Sequence, residues 1–100
     1  MEFRRVLFRS ITKEAVVDKI EVLEMGEVQV RTATIIKEDG IELNRSFHRH
    51  VLAPRTKSGD TWGDTDISGE DARVQAIANA TWTSDVKSAY ETFIDSSGTL

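Results

Sequence analysis

One hundred residues make one small domain with room for a single modest core. There is no cysteine, which removes disulfides and thiolate metal sites and leaves the redox compartment open. A net charge of −4 disfavours a nucleic-acid binder, which needs clustered Lys and Arg to neutralise phosphates. No run approaches the roughly 18 apolar residues of a membrane span, and an apolar fraction of 39% with two Trp argues against global disorder.

The first ten residues, MEFRRVLFRS, fit poorly with the rest of the chain. They are basic and partly apolar, but lack the apolar core and small-residue cleavage site of a secretory leader. Nine of them, Glu2 to Ser10, resemble the one-frame translation of a common sequencing-library adapter. That resemblance implies that the biological chain begins at or before Ile11. Without these ten residues three arginines and one glutamate go, and the net charge of −4 becomes −6.

Lys19-Ile20-Glu21-Val22 alternates polar and apolar, which predicts a strand over about Val16–Leu23. Glu24-Met25-Gly26-Glu27 then reads as a turn, with Gly26 supplying a positive φ. From Val28 to Ile36 the residues Val28, Val30, Thr32, Thr34 and Ile36 alternate with Gln29, Arg31, Ala33 and Ile35, the period of a strand with one buried face. Asp39-Gly40 is the strongest short hairpin signal, because a type I′ turn needs positive φ at both central residues. A two-residue turn there pairs Ile36 with Leu43, Thr32 with Phe47 and Val28 with Val51, and sets Lys37 opposite Glu42. A three-residue turn would slip the register by one and turn over a strand face. Three strands joined by short turns make an antiparallel meander ending at Pro54.

Arg55 to Ile67, rich in Ser, Thr, Asp and Gly, reads as a loop, with Trp62 as its one large apolar residue. Ser68-Gly69-Glu70-Asp71 has the form of a capping box. Val74, Ile77, Ala78 and Thr81 or Trp82 recur at helical spacing behind it. Val86, Ala89, Tyr90, Phe93 and Ile94 give the clearest helical stripe, starting near Thr83 or Ser84, and Gly98 can stop it. The fold expected is α+β: one domain over residues 11–100, with a three-stranded β-meander, a loop, and a helical hairpin packed on one sheet face. Its strands are expected at about 16–23, 28–37 and 41–52, the loop at 53–67, and helices at about 69–81 and 84–95. The core is expected around Ile36, Phe47, Ile77, Tyr90 and Phe93. A sheet this small leaves two open edges, which favours self-association.

His48 and His50 lie two apart on a strand, so both imidazoles can address one metal ion. Two ligands do not make a site; a carboxylate such as Glu42 or one from the acidic loop would have to complete it, and a polar strand face is the blander reading. In the two-residue-turn register both histidines share a face with Gln29, Arg31 and Ser46. Arg45 and Arg49 fall with Phe47 and Val51. There they must snorkel, pair with Asp or Glu of the helices, or enter an interface. Arg31, Arg45, His48, Arg49 and His50 are therefore the candidate interaction residues. Asp60, Asp64 and Asp66 carry oxygen ligands, but their spacing does not match a calcium loop. No G-x-S-x-G, P-loop or H-E-x-x-H pattern occurs. No catalytic residue and no cofactor is expected.

RTATIIKEDGIELNRSFHRHVLAP followed by SGEDARVQAIANATWTSDVKSAYETF resembles a family of short uncharacterised proteins of tailed bacteriophages and prophages. The matching pattern, R-T-A-T-x-I-x-x-D-G-x-E-x-x-R-S-F-H-R-H-V and then S-G-E-D-x-x-V-Q-A-I, covers roughly residues 17 to 94. The chain departs from it in the longer loop Arg55 to Asp66. The family carries no assigned activity, so the resemblance implies an origin: a non-enzymatic virion-structural, assembly or protein-interaction module. Its implied partners are proteins, either copies of itself or virion components, with neither membrane nor nucleic acid. Its implied location is the host cytoplasm during infection or the virion. The alternative reading is a small metal-binding domain or metal-dependent enzyme using His48 and His50. A weaker one is a nucleic-acid accessory factor using Arg31, Arg45, Arg49 and Arg55.

If the first ten residues were never selected with this fold, removing them should shift its unfolding free energy by no more than about 0.5 kcal/mol. Urea denaturation of residues 11–100 beside the full chain measures this. A loss of several kcal/mol would make the segment part of the fold.

Overall fold

The computed structural model describes residues 10–97; the first nine residues of the adapter-like segment lie outside it. The fold is α+β. Strands β1 (Ile11–Val22), β2 (Val28–Glu38) and β3 (Ile41–Leu52) form one antiparallel sheet in the order β1-β2-β3. A second, two-stranded sheet pairs β4 (Arg55–Ser58) with β5 (Thr61–Asp64), and helices α1 (Ala72–Thr81) and α2 (Ser84–Ser97) follow. The chain divides into two compact units. One comprises residues 10–19 and 31–49; the other comprises residues 20–30 and 50–97.

Both turns of the meander are set by backbone conformation. Asp39 (φ +52°) and Gly40 (φ +85°) form the two-residue connection of β2 to β3, and both take the positive φ of a I′ turn. Gly26 (φ +89°) closes the β1–β2 turn, whose own hydrogen bonds run from Leu23 N–H to Glu27 O (2.8 Å) and from Gly26 N–H to Leu23 O (3.0 Å).

Along β2 the buried positions are Val28 and Val30, then Ala33 and Ile35. The buried parity changes between Val30 and Ala33, where one unit gives way to the other. The expectation of a single buried set running from Val28 through Thr32 and Thr34 to Ile36 is therefore corrected in the distal half, where Thr32, Thr34 and Ile36 are only half-buried.

The same change of parity in β2 bears on its pairing with β3. Continued unbroken from the turn, that pairing would put Arg31 and Phe47 on opposite faces. Instead the Arg31 guanidinium stands 4.4 Å over the Phe47 ring. Arg31 sits on the central strand and cannot reach through the sheet, so the change of parity in β2 between Val30 and Ala33 brings it to the Phe47 side, as a bulge in β2 does.

The second unit holds the larger buried set: Val28, Val30, Pro54, Val74, Ala78 and Trp82. The expected core residues Phe47 and Phe93 are each 47% exposed, and Ile36, Ile77 and Tyr90 are half-buried. Helix α1 begins at Ala72, later than expected. Asp71, not Ser68, is its N-cap, accepting from the Arg73 N–H at 2.8 Å. Ser68 instead donates its N–H to Asp66 Oδ1 (2.9 Å) in an Asx turn that delays the helix. Thr83 caps α2: its Oγ1 accepts from Val86 N–H (3.3 Å) and its carbonyl from Lys87 N–H (3.0 Å).

Trp82 ends α1, and its indole N–H donates to the Gly26 carbonyl at 2.7 Å, a buried bond spanning 56 residues. Gly26 is itself buried, and a Cβ there would lie 2.5 Å from Val86 Cγ1 and 3.3 Å from Pro54 Cγ. Turn, third-strand terminus and both helices thus meet at one point.

Gly26→Ala combines a positive φ with that overlap and should cost about 2 kcal/mol or more. In a Val86→Ala background the cost should shrink, because the overlap is relieved and only the φ strain remains. Trp82→Phe should cost about 1–3 kcal/mol by leaving the Gly26 carbonyl without its donor. Urea unfolding monitored by far-UV circular dichroism measures all three.

Candidate functional site

In the unit of residues 10–19 and 31–49, two arginines converge on one carboxylate. Arg31 on the central strand grips Asp18 of β1 through Nε (2.9 Å) and Nη2 (2.8 Å). Arg45 of β3 brings Nη1 to 4.0 Å from the same Asp18 and binds Glu42 through Nε (3.0 Å) and Nη2 (2.8 Å). Arg31 also covers the Phe47 ring, a favourable cation–π placement. The Arg31 hydrogen bonds hold the Asp18 carboxyl below the usual carboxylate range, and the Arg45 bonds do the same for Glu42. Glu42 in turn raises the Arg45 guanidinium above its ordinary value. Lys37 and Glu14 add a pair at 2.8 Å.

This cluster borders a long, open strand. β3 is a sheet edge, and residues 41–49 are all exposed. Ile41, Leu43 and Phe47 are 69%, 57% and 47% accessible. On the opposite edge, β1 exposes Ile11 and Val16. Scattered surface apolar residues need no explanation, but a run of them on an unpaired strand edge is the arrangement that takes up another chain.

The five candidate residues do not gather at one place. Arg31 lies with Phe47, and both Arg31 and Arg45 reach Asp18. Arg45 pairs with Glu42 and lies near Asp18, carboxylates of its own unit. His48 and Arg49 are exposed on β3, and Arg49 makes no ion pair among the described residues. His50 belongs to the other unit, where its Nε2 lies 2.9 Å from Glu70 Oε1. No group of three His, Asp or Glu placed to hold a metal ion occurs among the described residues. Asp18, the hub of the cluster, carries no motif; only its position beside arginines of the other two strands signals it.

The other unit uses its charges to fasten the β4–β5 hairpin to α2. Arg55 joins Asp64 of β5 and Glu91 of α2, the latter at 2.8 Å. Lys57 reaches Asp95 at 2.9 Å and lies 5.3 Å from the centre of the Trp62 ring. Lys87 pairs with Asp64 at 3.0 Å, and Trp62 meets Tyr90 edge-on at 6.2 Å. Two of the three loop aspartates are therefore engaged: Asp64 by Lys87 and Arg55, and Asp66 by the Ser68 N–H.

These pairs set a pH dependence. Hydrogen bonds from Lys87 and Arg55 lower the Asp64 carboxyl, a bond from Lys57 lowers Asp95, and the Arg73 backbone N–H lowers Asp71. Groups depressed in the folded state stabilise it fully above the unfolded carboxylate value, near 3.9, and lose that effect as pH falls through the lower folded values. The urea midpoint should therefore hold steady from pH 7 to about 5 and fall below about 4. Asp64→Asn with Asp95→Asn should flatten that fall; an unchanged acid limb would mean that the pairs contribute nothing.

No helix among the described residues is long and apolar enough to cross a membrane. Compared with protein-family models, curated proteins and solved structures, the chain matches none, so its surface is read from its own residues.

Proposed function

We propose that this chain is a non-enzymatic protein-binding module of a bacteriophage particle or of its assembly, acting in the host cytoplasm during infection or within the virion. The observation that carries the binding half is the open edge of β3, which presents Ile41, Leu43 and Phe47 beside exposed Arg49. Unpaired strand edges with apolar side chains recognise other chains through backbone hydrogen bonds and alternate side-chain pockets. The phage half rests on the resemblance carried by R-S-F-H-R-H and S-G-E-D-x-x-V-Q-A-I, an association and not a physical argument.

The test is incorporation. Particles and assembly intermediates of a phage that encodes this chain are banded by density and probed for the chain and for its Phe47→Asp variant. The unaltered chain should band with particles or intermediates, and the variant should be depleted at least about tenfold, as for loss of a buried aromatic anchor. A chain absent from both fractions contradicts the phage-assembly reading. Equal incorporation of the variant contradicts the assignment to β3.

A further inference from the structure

The two edges of the sheet carry matching patterns. β3 reads Arg45-x-Phe47-x-Arg49 along one face, and β1 reads Glu14-x-Val16-x-Asp18. The faces correspond: Asp18 meets Arg31 and Arg45, Arg31 covers Phe47, and residues two apart on a strand share a side. Phe47 and Val16 are exposed, at 47% and 39%.

We propose that β3 of one molecule pairs with β1 of a second copy of this chain, extending the sheet from molecule to molecule. The inference rests on the protein-binding reading above and names its partner. In an up-down-up meander β1 and β3 run parallel, so a copy displaced sideways offers its β1 parallel to β3 with the same face up. One register then sets Arg45 beside Glu14, Phe47 beside Val16, and Arg49 beside Asp18 of the neighbour. Both charge pairs are opposite in sign, and the two exposed apolar residues cover each other. Arg49, without an ion pair among the described residues, gains one.

Pairing β3 with β3 is disfavoured. Setting Phe47 against Phe47 in an antiparallel seam places Arg45 opposite Arg49 twice, and like charges directly opposite destabilise a strand pair. The β3–β1 contact uses different surfaces on its two partners, so it propagates: each added molecule leaves one β3 and one β1 open.

The experiment is sedimentation velocity of the full chain at low and high micromolar concentration, in low and high salt. The chain should form concentration-dependent species larger than dimers, weakened by salt. Arg49→Glu alone and Glu14→Arg alone should each weaken association about tenfold or more, with unchanged circular dichroism. Mixed together, these two variants retain one unaltered β3 and one unaltered β1 between them. The mixture should therefore form a 1:1 pair and nothing larger. A chain monomeric at every concentration overturns the proposal, as does association indifferent to both substitutions. Association lost in Arg49→Glu but intact in Glu14→Arg overturns the use of β1. The two readings fail separately. A monomer still incorporated into particles removes only the self-pairing, whereas self-association without incorporation removes only the phage-assembly role.

Discussion

The hydrogen bond from the Trp82 indole to the Gly26 carbonyl is the constraint on which the larger unit depends. A turn carbonyl buried without a donor is expensive, and a buried indole N–H without an acceptor is equally so. Here each satisfies the other at 2.7 Å. The bond ties the β1–β2 turn to the C-cap residue of α1, and Trp82 also closes that helix through its own N–H to Ala78 O at 2.8 Å. Glycine at position 26 is required twice over, by its φ of +89° and by the approach of Val86 and Pro54. Side chains larger than hydrogen would push α2 and the end of β3 away together.

Around this point the interactions are of a different kind. The β4–β5 hairpin is fastened to α2 mainly by ion pairs at the surface, with Trp62 against Tyr90 as the apolar exception. Exposed pairs of this sort contribute little individually and are screened by salt. Their role is to hold a polar hairpin in one place, and they do so at the expense of any metal-binding use of Asp64. In the other unit Asp18 and Glu42 neutralise Arg31 and Arg45, and Arg31 lies over the Phe47 ring with its charge paired. That leaves the exposed Ile41, Leu43 and Phe47 of β3 along an open edge.

Much of this is legible in the residues. The Asp39-Gly40 and Gly26 turns, the three strands, and a helical stripe through Val74, Ile77 and Ala78 follow from local chemistry and period, and the structure has them, with Ile77 only half-buried. The β4–β5 hairpin escapes such a reading although Gly59-Asp60 is a two-residue turn signal. Its strands, Arg55–Ser58 and Thr61–Asp64, carry no apolar alternation, because charge pairs and one Trp hold them. The helix start is ambiguous because Ser68 and Asp71 both look like caps, and only the Asx turn at Asp66 decides between them. The α2 stripe, the most regular in the chain, is shallow: Phe93 is exposed and Tyr90 half-buried, since period reports a face and not how deeply it is covered. The grouping at Asp18 goes with the change of parity in β2 between Val30 and Ala33, which no residue type announces.

The Gly26–Trp82 junction is thus the stable centre of its unit, and β3 is an available edge. Hydrogen exchange of the Trp82 indole N–H, followed by NMR on the full chain, tests this most directly, with the half-buried Trp62 as an internal reference. The Trp82 indole proton should exchange as slowly as the best-protected amides of α1 and of Val28 and Val30, while Trp62 exchanges faster. A Trp82 indole that exchanges at the rate of Trp62 would contradict the central place given to that bond.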